Sequence, residues 1–188
     1  ELLALPAKLH LPVAFGYIRK DYRKNEDDRV AQNKREAREM VAIGHSLAFT
    51  QCVVAAEKYM REKAETKEVA GLYVENNTQT ARTVKELHDL TRGGPQFRRF
   101  EVMHWSHSLQ LGRDFLPLRK IVHAPSFQEK SDASLLQIAD ACALLIRFFL
   151  EQRRDVDQLV QAFTNNEGQK LGSLINMDSA VGFGLIDF

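Results

Sequence analysis

Apolar positions fall into two kinds of pattern along the chain. Between Ser131 and Arg153 they recur at Leu135, Leu136, Ile138, Ala139, Cys142, Ala143, Leu145, Ile146, Phe149 and Leu150. That helical spacing is broad enough to touch core on several sides. Shorter apolar runs rich in β-branched and aromatic residues read as strands: residues 11–18, 69–75, 97–107 and 119–124, with Pro125 ending the last. Residues 31–66 read as a long helical region whose apolar face includes Met40, Ile43, Leu47, Cys52, Ala55 and Tyr59. Its length suggests a break near Gly44, and its charged end from Glu57 to Lys67 reads as solvated. Residues 78–94 read as an amphipathic helix on Val84, Leu87 and Leu90, stopped by Gly93, Gly94 and Pro95. A further short helix uses Val156, Leu159, Val160 and Phe163. Residues 1–10 read as a short helix or a strand remnant, and residues 171–188 as an irregular docked tail or a terminal strand. The order of strands and helices predicts a layered α/β domain.

Two polar residues interrupt the strongest helix. Gln137 fits a capping box with Ser134 as N-cap. Asp140 has no such explanation, because a carboxylate among apolar residues is costly unless it is paired, hydrogen-bonded or bound to a metal. It reads either as a structural acceptor or as a member of a cleft.

Composition narrows the classes. The chain has 188 residues, 44% of them hydrophobic, which suits one α/β domain over 1–188. A net charge of +1 gives no basic surplus of the kind that marks nucleic-acid binding. Arg19, Lys20, Arg23, Lys24, Arg98, Arg99, Arg113, Arg119 and Lys120 could still make a local basic face, with Phe97, Phe100 and Trp105 interleaved. Asp140 and Arg147 break the best apolar run, so no membrane span and no membrane partner are expected. Cys52 and Cys142 sit in apolar helical surroundings and lack a CxxC pairing. Two buried thiols in a reducing, cytoplasmic setting is the expectation. The long helical region could support a homodimer or cover its own sheet.

Chemistry is narrowed the same way. Phosphate-loop, dinucleotide, HExxH and GxSxG signatures are absent. His104 and His107 would point to opposite faces of a strand. The carboxylates carry more. Glu75 ends a predicted strand, Glu129 and Asp132 lie in the loop before the central helix, and Asp140 follows within it. Acids gathered from a strand end, a loop and a facing helix suit Mg²⁺ or Mn²⁺, which prefer oxygen ligands and can serve phosphodiester hydrolysis. The competing explanation makes Glu129 an exposed loop acid and Asp132 a helix cap. A small-molecule α/β enzyme would instead show an apolar pocket with a few convergent polar groups.

The stretch IVHAPSFQEKSDASLLQIADACALLIRFF resembles the carboxy-terminal signature of the family called domain of unknown function 3800. The core of the likeness is Gln137-Ile138-Ala139-Asp140, preceded by an aromatic-containing loop with an acid and a serine. The likeness extends over about residues 11–153, leaving 154–188 as a C-terminal helix and tail. The resemblance implies a ribonuclease-H-like layered domain with a central mixed sheet and packed helices. It implies a metal-dependent nuclease in which Asp140 is the last catalytic acid, Glu75 stands near the acid after the central strand, and Glu129 takes the loop position, with Asp132 as alternative. Nucleic acid is the partner it implies. The chain departs from the pattern at Glu129, where an aspartate followed by serine is usual, and at its start, where no strand carries Asp-Glu-Ser. The expectation is either that this strand precedes Glu1 or that the chain is a shortened, noncatalytic interaction or structural module.

Overall fold

The computed structural model describes residues 2–18, 34–78, 80–93, 116–164, 171, 175 and 181–187. A 3-10 turn at Leu2–Ala4 runs into helix α1, Leu5–Lys8, with Pro6 in its first turn, where the missing N–H costs nothing. Strand β1 is Val13–Ile18, helix α2 Lys34–Lys63, strand β2 Tyr73–Glu75 and helix α3 Ala81–Thr91. Strand β3, Ser126–Gln128, and a 3-10 turn, Lys130–Asp132, precede helix α4, Ser134–Leu150. Helix α5 is Asp157–Phe163 and strand β4 is Val181–Ile186.

The strands form two separate two-stranded sheets, an antiparallel β1–β4 pair and a parallel β2–β3 pair. The chain is thus α/β, but among the described residues its strands do not join into one central mixed sheet. In the first pair Val13 faces Ile186 and Ile18 faces Val181. Side chains alternate along a strand, so β1 serves two layers. Phe15 and Tyr17 are buried in a cluster with Cys142, Leu145 and Ile146 of α4 and Val160 and Phe163 of α5. Gly16 lies against α2: a Cβ there would come within 2.2 Å of the Ala48 carbonyl oxygen and 2.7 Å of the Cys52 nitrogen. The absence of a side chain at Gly16 is what lets strand and helix approach.

Helix α2 runs through Gly44 without a break. A glycine costs about 1 kcal/mol in a helix interior, and packing against β1, β4 and α3 outweighs it here. Ala48 and Cys52 meet β1, whereas Phe49, Val53 and Ala56 turn to a second apolar cluster with Leu118, Ile121, Ala70 and Leu72. One helix therefore packs against parts of both halves of the fold.

Two sequence expectations change. The run expected as a strand over 119–124 makes only an isolated bridge, Ala70 with Ile121, and the strand forms after Pro125 instead. The backbone N–H groups of Arg119, Lys120 and Ile121 are turned onto the Glu57 carboxylate, so they are not available to a ladder. Glu57 was expected to be solvated and is fully buried. The expected strand over 97–107 lies outside the described residues. The short helix after Arg153 forms with Val156, Val160 and Phe163 buried, and the tail supplies β4. No helix among the described residues is long and apolar enough to cross a membrane.

Candidate carboxylate site

The parallel β2–β3 pair brings the site's two chain segments side by side. Glu75 at the end of β2 is in register with Gln128 at the end of β3. The ladder continues one step further, where the Asn76 N–H donates to the Gln128 carbonyl at 2.8 Å. The next side chains also meet: Asn76 Nδ2 donates to Glu129 Oε1 at 2.8 Å. The chain then tightens into the 3-10 turn Lys130–Asp132, closed by the Asp132 N–H on the Glu129 carbonyl at 3.0 Å.

Helix α4 starts with Ala133 at the N-cap position and no side-chain cap. The expected capping box is therefore not formed. Gln137 Nε2 reaches back to the Lys130 carbonyl at 3.4 Å and ties the turn to the first helical turns. The buried residues of α4 are Cys142, Leu145 and Ile146, and Asp140 lies off that face. Its side chain is 58% exposed. The burial cost that made it conspicuous in the sequence is therefore absent. The broad apolar pattern of α4 likewise overstates its contacts, since Leu135 and Leu144 are exposed.

Asp140 is nevertheless engaged. The Lys130 ammonium donates to Asp140 Oδ2, joining the turn to the helix. The hydrogen bond from Lys130 to Asp140 pushes the ammonium pKa up; desolvation opposes it, and the charges of Asp140 and then Glu75 add smaller increases. Glu75, Lys130 and Asp140 thus share one electrostatic neighbourhood, with Glu129 held beside Glu75 through Asn76. The Asp132 carboxylate instead accepts the Ser131 hydroxyl at 2.9 Å. All four carboxylates are exposed. Among the described residues, no group of three or more His, Cys, Asp or Glu is arranged to hold a metal ion. Carboxylates are the donor type that a hard divalent ion takes, and of the four the structure shows Asp140 on the Lys130 ammonium.

The basic residues divide. Arg19, Lys20, Arg23, Lys24, Arg98, Arg99 and Arg113 lie outside the described residues, as do His104, His107, Phe97, Phe100 and Trp105. Lys120 does not face a ligand: its ammonium binds the carbonyls of Glu65, Thr66 and Glu68, just past the end of α2. Arg119 is exposed.

A large groove lies elsewhere. It measures about 970 Å³ and runs between β1, α2 and α4, lined by Gly16, Ala48, Cys52, Ala139, Cys142 and Ala143 among others. It shares α4 with the carboxylates but includes none of the four. Its wall is mainly apolar, with the Cys52 thiol donating to the Ala14 carbonyl at 3.2 Å, Arg147 paired with Glu151 at 2.8 Å and the exposed His45 at its edge. A small substrate needs convergent polar groups to orient it, so the carboxylates are the stronger candidate.

Sequence reasoning missed Glu57 and His88, both fully buried in their side chains. Glu57 sits in a charged run with no apolar signature, and only its Arg61 partner one turn on hinted at pairing. His88 lies four residues after Val84, on the same helical face, which was the available signal. No protein-family model, no curated protein and no solved structure matches the chain.

Proposed function

We propose that this chain carries a carboxylate site for Mg²⁺ or Mn²⁺ and that its chemistry is phosphodiester hydrolysis on nucleic acid, within a ribonuclease-H-like architecture. The observation that supports this reading is that the β2–β3 pairing sets Glu75 beside the segment leading into the Lys130–Asp132 turn, and the Lys130 ammonium joins that turn to Asp140 on the facing helix. Asp140, Glu75 and Glu129 would hold the ion, with Asp132 as the alternative from the loop. A bound divalent ion supplies positive charge to the phosphate oxygens and makes a water easier to deprotonate. The chain's own part is to set the carboxylates: the β2–β3 ladder fixes Glu75 beside the start of the turn, and Gln137 ties that turn to α4. The resemblance to domain of unknown function 3800 points the same way through Gln137-Ile138-Ala139-Asp140.

The test is Mn²⁺ titration by calorimetry on the full chain, wild type against Asp140→Asn, followed by cleavage assays on DNA and RNA. Saturable binding and cleavage that are both lost in a folded Asp140→Asn protein are expected. No binding, with or without nucleic acid present, would overturn the reading.

A noncatalytic interaction module is the second reading. It is favoured by the partners the acids already have, Asn76 on Glu129 and Lys130 on Asp140. A folded protein whose thermal midpoint does not respond to Mn²⁺ or Mg²⁺ would support it.

A further inference from the structure

We draw no further inference here: the strongest candidate, the mainly apolar groove between β1, α2 and α4 with Cys52 and Cys142 in its wall, carries nothing because nothing among the described residues shows what covers it.

Discussion

The Glu57 carboxylate accepts the backbone N–H of Ile121 at 3.0 Å, tying α2 to a segment 64 residues later in the chain. The same carboxylate accepts the N–H groups of Arg119 at 2.8 Å and Lys120 at 3.0 Å, and the Arg61 guanidinium at 2.7 Å. Arg61 in turn donates to the Pro117 carbonyl at 2.8 Å. A single buried acid thereby fixes the course of residues 117–121, which lead into β3 and the carboxylate turn.

Replacing Glu57 removes an acceptor from several donors at once. Glu57→Gln presents an amide N–H to backbone donors and removes the negative charge that Arg61 pairs with. A loss of about 3 kcal/mol is expected, in the range for breaking a buried charged network, measured by urea unfolding. The pH dependence has a definite sign. Burial raises the Glu57 pKa, but the hydrogen bonds from Arg119, Arg61, Ile121 and Lys120 outweigh it and hold the value below the ordinary 4.5. The stabilisation is therefore complete above 4.5 and is lost as pH falls through the lower folded value. Glu57→Gln should flatten that acid limb, and an unchanged limb would show that other carboxylates control it.

Gly16 carries a steric prediction. An added Cβ would meet backbone atoms of α2 at 2.2 and 2.7 Å, and those atoms belong to an intact helix that cannot shift alone. Gly16→Ala should cost about 3 kcal/mol or more, as an overpacked core contact does. Gly44→Ala is the control. Beyond its chain neighbours and the helix's own backbone, no atom of the described residues lies within 4 Å of its Cβ position, so it should be neutral or stabilising by up to about 1 kcal/mol. Thermal unfolding of both variants checks the pair.

His88 is buried with neither ring nitrogen hydrogen-bonded among the described residues. Burial lowers its pKa, the Arg92 charge adds to that, and Asp89 and the Ile121 backbone oppose it. The unfolded chain therefore binds a proton that the folded chain resists, and stability falls as pH drops below the ordinary 6.5. His88→Leu should remove this slope below the ordinary 6.5, as read by unfolding midpoints from neutral pH downward. A slope that survives in a folded His88→Leu protein would assign it to other groups.

The legible part of the sequence was the part with periodic apolar signal. β1, α3, α4 and the helix on Val156, Val160 and Phe163 follow from spacing alone. The role of α2 is not legible, because its contacts with β1 on one side and with the cluster of Leu118 and Ile121 on another dilute any single apolar face, and its decisive residue is a glutamate in a charged run. The strand over 119–124 was misplaced for a related reason. Its apolar side chains do pack, with Ile121 buried, but its N–H groups serve Glu57 rather than a neighbouring strand. The apolar spacing around Asp140 implies a burial that its exposed side chain does not have. What engages it is Lys130, ten residues earlier and on another element, a pairing that no helical or strand spacing announces.

The two cysteines give a chemical prediction. Cys52 and Cys142 both line the groove between α2 and α4, yet burial pushes each thiol up to about 11. An ordinary thiol near 8.5 is partly ionised at about pH 8, and a rise of this size lowers the thiolate fraction by on the order of 100-fold. Since the thiolate is the nucleophile, both residues should alkylate on the order of 100 times more slowly in the folded protein than in urea. Iodoacetamide labelling followed by mass spectrometry measures this site by site. Fast native labelling of Cys52 would mean that its hydrogen bond to the Ala14 carbonyl does not hold the thiol against β1. Slow labelling at both positions is the expected outcome, because burial holds each thiol protonated.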